Sequence, residues 1–292
     1  MTSRIRPRIR TYRALDGYRL HYRHWLPAVE RPLARIVALH GIQSHSGWYA
    51  HSSERICAAG CELFYLDRRG SGMNERDRGH VEHHDVWLSD LLLFLSELRI
   101  EERITGQHIP IILQAVSWGG KLATIAAARR PELLDGLALL YPGLCPRVKA
   151  TAWQNVQLTL ADPLGIRRKR VPIPLEDPAL FTNEPVWRDY IRHDPLALHE
   201  VSVAFLLANR QLNRFLPSCP SAMNHPTLLM LAGRDRIIDN AATRTYVERF
   251  AGPDKTILEY PNACHTLEFE PDRERITGDY LRWLEHTLEC GD

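Results

Sequence analysis

Six short apolar runs alternate with stretches of helical period, and that alternation restricts the fold of this 292-residue chain more than any other feature. The runs are ARIVALH (34–40), CELFYLD (61–67), IPIILQAV (109–116), GLALLYP (136–142), PTLLMLAG (226–233) and KTILEYP (255–261). Between and after them the periodicity predicts helices over about 49–59, 84–102, 118–130, 241–250 and 272–288. Continuous apolarity means strands covered on both faces, and strand–helix–strand crossovers are right-handed. The expectation is an α/β class chain with a mostly parallel, doubly wound sheet. Ahead of it, residues Ile9 to Leu26 form two alternating stretches split by Asp16-Gly17, which predicts an N-terminal β-hairpin.

The alternation stops at Pro142-Gly143. The next 80 or so residues are rich in Pro and polar groups, with RRKR at 167–170 and VPIPLEDP at 171–178. A mostly helical cap over 145–225, inserted into a core made of 1–144 and 226–292, accounts for this arrangement.

Charge and composition narrow the function. Thirty-seven Lys plus Arg against 35 Asp plus Glu gives a net charge of +2, too balanced for a nucleic-acid partner. Arginines at 4, 6, 8 and 10 read as a solvated strand face or tail. No apolar run approaches the roughly 18 residues of a membrane span, and MTSRIRPRIR has no apolar h-region, so a cytoplasmic protein is expected. Cysteines at 57, 61, 145, 219, 264 and 290 form no CxxC pair and read as free thiols. His80, His83, His84 and Asp85 crowd together, but His80 and His84 share a helix face only if the helix starts early, so no metal and no other cofactor is expected.

In open parallel sheets ligands bind beyond the carboxyl ends of the strands, and four loops there carry chemistry. The run ending at Val116 passes through Ser117-Trp118-Gly119-Gly120 directly into KLATIAAARR, a strand-to-helix elbow with a serine at its tip. Such a turn needs small residues two before and two after the serine, here Ala115 and Gly119. Read alone, Ser117 is as well explained as a helix N-cap. The run 34–39 ends in His40-Gly41-Ile42, where Gly41 lets the Ile42 amide turn toward the Trp118 amide, giving two main-chain donors for an oxyanion. Asp235, with Asp239 as a competitor, comes directly after the run at 226–232, and His265 after the last run. Asp235 alone could equally cap a turn or pair with Arg234 or Arg236. Together these loops have the order Ser, Asp, His in which Ser117 attacks, His265 moves the proton and Asp235 orients His265.

The segments HGIQSHSGWY (40–49), Asp67-Arg68-Arg69-Gly70-Ser71-Gly72, RGHVEHHDVWLSDL (78–91), the Ser117 elbow and GRDRIID (233–239) resemble α/β-hydrolases of the monoacylglycerol lipase and lysophospholipase-like branch, which also includes enzymes labelled serine aminopeptidases. The resemblance covers most of residues 30–290. It implies an α/β-hydrolase fold and hydrolysis of small-molecule carboxylic esters with medium or long acyl chains, beneath a cap with an apolar tunnel. Phe181, Trp187, Tyr190, Phe205, Leu206 and Leu207 either line that tunnel or form the cap's own core, and RRKR leaves room for transient contact with a membrane surface. The chain departs from the pattern at Ala115, Ser71 and Trp118, where Gly, His and Met are usual. SWGG is also similar to the elbow of proline iminopeptidases, which keeps amide or aminopeptidase chemistry open, and a non-catalytic small-molecule receptor is a third reading. Glu176, Asp177, Glu184, Asp189 and Asp194 read as a solvated acidic face of the cap.

Overall fold

The computed structural model describes residues 5–147 and 165–289; Arg4, Cys290 and residues 148–164 of the insertion lie outside that range. Eight strands form one sheet in the order β1-β2-β4-β3-β5-β6-β9-β10. β1 (Arg8–Arg13) and β2 (Arg19–Trp25) are the antiparallel hairpin, turning at Gly17 with φ 77°. β2 runs antiparallel to β4 (Glu62–Leu66), and from there on every pairing is parallel, through β3 (Arg35–Leu39), β5 (Ile111–Val116), β6 (Gly136–Leu140), β9 (Thr227–Ala232) and β10 (Lys255–Tyr260). Every residue of β3, β4, β5 and β9 is buried, which is why these runs read as unbroken apolar stretches.

The helices match the sequence periods. α1 (Ala50–Ala58), α2 (His84–Thr105) and α3 (Gly119–Arg129) flank the first half of the sheet, and α2 packs on α3. α2 runs three residues past its expected end, because the stop signal is Gly106, in the left-handed conformation at φ 68°, rather than the charged run before it.

The described part of the insertion is not purely helical. It holds α4 (Pro185–His193) and α5 (Val203–Phe215), and also a ribbon of two three-residue strands, β7 (Arg170–Pro172) and β8 (Glu200–Ser202). Strands that short have no period to read. The ribbon is docked by the Ser202 amide on the Gly79 carbonyl at 2.8 Å, and a Cβ on Gly79 would meet the Glu200 carbonyl oxygen at 2.4 Å. The Leu198 amide donates to Gln43 O at 2.9 Å, so this segment rests on the loops beyond β3 and β4 and shares one apolar cluster with the sheet. Within the RRKR run, Arg167 pairs with Glu82, and Arg168 with Asp77 and Glu82. α6 (Asn240–Glu248) and α7 (Arg273–Glu289) complete the described chain. No described helix is long and apolar enough to cross a membrane. Among the described residues, Cys57, Cys61, Cys145, Cys219 and Cys264 form no disulfide.

Candidate active site

Ser117 sits at the junction of β5 and α3 with φ +48°, a conformation that costs a non-glycine residue of order 1–3 kcal/mol and persists only where surroundings enforce it. Here its amide donates to Leu140 O at 3.1 Å, and its carbonyl accepts from Gly143 N at 2.6 Å and Gly120 N at 2.9 Å. A Cβ on Gly119 would lie 2.7 Å from the His40 carbonyl oxygen, so the elbow closes only with glycine there. Ala115 is fully buried in β5 and its methyl is accommodated. The N-cap reading of Ser117 fails: Trp118 holds the cap position of α3, with no side-chain capping bond.

The hydroxyl is committed elsewhere. Ser117 Oγ lies 2.9 Å from His265 Nε2, and His265 Nδ1 lies 2.7 Å from Asp235 Oδ2. A carboxylate only accepts, so Nδ1 carries the proton and Nε2 is free to take one from the serine. The other Asp235 oxygen accepts from the amides of Ile237 (2.8 Å) and Ile238 (2.9 Å), which fixes the carboxylate. Arg234 and Arg236 turn away to Asn262 and Ala179. Asp239 caps α6 through the Ala242 amide at 3.0 Å and takes no part. Tyr141 and Phe181 stand edge-on to the His265 ring at 4.9 and 5.9 Å between centroids.

The turn after β3 is equally constrained. His40 Nδ1 donates to Gly41 O at 2.7 Å while Nε2 accepts from the Arg68 amide at 2.9 Å, and burial, with the Arg68 guanidinium nearby, holds its pKa well below the ordinary value. His40 is therefore a neutral strut. The Gly41 amide donates to Ser44 Oγ, whose other partner is the Tyr49 hydroxyl at 2.9 Å. Ile42 lines the small cavity at Ser117 and His265, about 10 Å³ in volume. No protein acceptor among the described residues meets the Ile42 or Trp118 amide.

Sequence reading missed four participants. Asp194 belongs to no solvated face: it is buried and accepts from His45 Nε2 at 2.9 Å, Trp48 Nε1 at 2.5 Å and the Leu196 amide. Burial alone would raise its pKa, but these bonds outweigh it and hold the carboxyl below its ordinary range. Arg68 donates to the Gly41 and Ile42 carbonyls. Tyr141 and Glu268 line a second cavity, of about 30 Å³, that shares the walls Tyr49 and Tyr141 with the first. Burial pushes the Glu268 carboxyl up to about 7, against which it accepts a bond from the Ser52 amide.

Among the predicted cap residues, Phe205 packs on Trp87 and Trp118, and Trp187 stacks on Phe269 at 4.5 Å. His80 is taken up by Ser202 and Glu82. His83, His84 and Asp85 bring ligand atoms within 4.8 Å of one another, but Arg129 reaches Asp85 at 3.3 Å and the group opens α2, whose N-terminal dipole disfavours a cation.

Comparison with known proteins gives the family and the fold. A family profile described as "Serine aminopeptidase, S33" matches residues 30–272. A monoacylglycerol lipase of Mycolicibacterium smegmatis is 26% identical over 278 residues, covering 94% of this chain and 95% of the relative. A phospholipase of Bacillus subtilis is 24% identical, covering 86% and 95%. Among solved structures, a soluble variant of monoglyceride lipase from Saccharomyces cerevisiae in complex with a substrate analog superimposes with TM-score 0.85 at 19% identity, covering 98% of this chain and 97% of that one.

Proposed function

The chain belongs to the serine aminopeptidase S33 family of α/β-hydrolases, and from that premise we propose that it hydrolyses carboxylic esters of the monoacylglycerol or lysophospholipid type through an acyl-enzyme on Ser117. The observation that carries this reading is the hydrogen-bonded chain from Ser117 Oγ through His265 to Asp235 at a strained elbow. His265 Nε2 takes the Ser117 proton as Oγ bonds to the acyl carbon, and Asp235 stabilises the imidazolium. The carbonyl oxygen, now an anion, accepts from the Ile42 and Trp118 amides. His265 then passes its proton to the leaving alcohol. Water, deprotonated by the same nitrogen, attacks the acyl-enzyme and releases the fatty acid and Ser117.

Ester rather than aminopeptidase chemistry is supported by the lining of the Ser117 cavity. Ile42, Trp48 and Phe181 offer it apolar surface, and no described carboxylate other than the one bound to His265 adjoins it. Asp194, near the cavity wall at Trp48, is already taken by His45 and Trp48, so no described carboxylate lining the cavity is left to hold a substrate α-amine. The inserted segment would act as the cap. A chain-length series of p-nitrophenyl acyl esters, run beside amino-acyl amides, tests the assignment. Turnover of esters that rises from acetyl to longer chains, with amides inert, is expected; preferential amide cleavage would reverse it.

A further inference from the structure

The peptide that carries the Ile42 N–H is held from its opposite edge. Its oxygen, Gly41 O, accepts from His40 Nδ1 at 2.7 Å and from Arg68 Nη1 at 3.1 Å, while Arg68 Nη2 donates to the next carbonyl, Ile42 O, at 3.0 Å. In a planar trans peptide the C=O and N–H point opposite ways, so fixing the oxygen fixes the direction of the Ile42 N–H. A cation on the oxygen also polarises the amide and makes the N–H a stronger donor.

The same guanidinium lies over the Trp118 indole at 4.5 Å and near the Phe205 ring at 5.5 Å. It therefore adjoins the residues of both amides assigned to the oxyanion, and through Phe205 it reaches the inserted segment.

Arg68 is electrostatically unlike its neighbour. Arg69 is neutralised by Asp16 and Asp90. The Asp67 carboxylate, beside Arg68 in sequence, favours its charge through space but is occupied by the amides of Ser46 (2.7 Å) and Met73 (2.9 Å), and among the described residues no carboxylate forms a direct ion pair with Arg68. A guanidinium stays charged at neutral pH. Holding a partly buried one with carbonyls and aromatic rings but no direct ion pair carries a desolvation cost, and negative charge appearing nearby offsets part of it.

We propose that Arg68 is a positioning residue for the oxyanion site: it aims the Ile42 amide through the Gly41 carbonyl and supplies a positive charge, held in no direct ion pair among the described residues, that favours the tetrahedral anion over the neutral ester. This rests on the roles assigned above to Ser117 and to the Ile42 and Trp118 amides. Because the effect is confined to the charged state, it acts on kcat rather than on ester binding.

The experiment compares Arg68→Met and Arg68→Lys with wild type, each normalised to sites titrated by a fluorophosphonate. Lysine keeps a charge but lacks the planar fork that spans two carbonyls. Arg68→Met should lose roughly tenfold to a hundredfold in kcat with little change in KM, and Arg68→Lys should recover part of the loss. Affinity for an alkyl boronic acid, which forms a tetrahedral anion on the serine, should fall in parallel with kcat, while affinity for a non-hydrolysable alkyl ether of the same chain length stays put. A merely structural arginine would lower the titrated fraction and the melting temperature but leave kcat per site and boronate affinity intact, and that result overturns the proposal. Should Arg68→Met fail to fold, Arg68→Lys decides alone by the same criteria. Retained turnover in Ser117→Ala, by contrast, would remove the assignment beneath the proposal, whatever the Arg68 variants do.

Discussion

Asp235 meets His265 Nδ1 at 2.7 Å with both side chains almost wholly shut off from solvent, 0% and 1% exposed. That contact determines which imidazole nitrogen faces Ser117. Asp235→Asn presents an amide that can donate to Nδ1 and so stabilise the wrong tautomer, and kcat on an acyl ester should fall roughly a thousand- to ten-thousandfold. Asp239→Asn, which preserves a good N-cap on α6, should leave kcat unchanged and stability within about 0.5 kcal/mol. Steady-state kinetics on the two purified variants separate them.

The elbow has no room for a further methyl group. Gly119→Ala would bring Cβ to 2.7 Å from His40 O and 3.1 Å from Leu39 O, both backbone atoms that cannot swing away. A loss of roughly 1–3 kcal/mol is expected in urea denaturation, with displacement of the Ser117 turn.

Asp194 ties the inserted segment to the turn after β3, and its removal leaves buried donors on His45 and Trp48 without an acceptor. Asp194→Ala should cost roughly 2–4 kcal/mol at neutral pH. The depressed carboxyl sets the sign of its pH dependence. Its contribution is present above the ordinary value of 3.8 and is lost as pH falls through the lower folded value, so the gap between wild type and variant should narrow in strong acid. Melting curves across acidic pH check this.

Glu268 behaves in the opposite sense. Burial moves its carboxyl from the ordinary 4.5 up to about 7, so its contribution to stability is fully present below 4.5 and is lost as pH rises through about 7. Glu268→Gln keeps an acceptor for the Ser52 amide and removes the charge. The variant should gain up to about 3 kcal/mol over wild type at about pH 8.5 and little below about pH 5. Denaturant midpoints at several pH values read the difference.

Two kinds of feature are legible in the bare chain: elements with a repeating pattern, and residues placed directly after a strand. The inner parallel strands show because burial on both faces leaves them mostly apolar, the half-buried β10 shows through its short TIL core, and Ser117, Asp235 and His265 show because each follows one of these runs. The β7–β8 ribbon does not, since three residues per strand carry no period and its pairing is fixed by a contact with Gly79. Asp194 and His45 are 149 positions apart, so one carboxylate among several in a charged segment gave no sign of burial. Arg68 lies next to another arginine, and only the backbone turn of His40-Gly41-Ile42 shows which of the two faces the site. Glu268 reads as an ordinary acid until the packing of α1 and α7 around its cavity is known.

The most direct measurement is turnover and covalent labelling of Ser117→Ala beside wild type. Wild type should hydrolyse a p-nitrophenyl acyl ester and take up a fluorophosphonate on Ser117. The variant, with unchanged melting temperature, should lose labelling and nearly all turnover, keeping only a residual rate from the remaining oxyanion donors. Comparable hydrolysis by the folded variant, or a wild-type chain that folds but neither labels nor turns over, would contradict the assignment of Ser117 as the nucleophile.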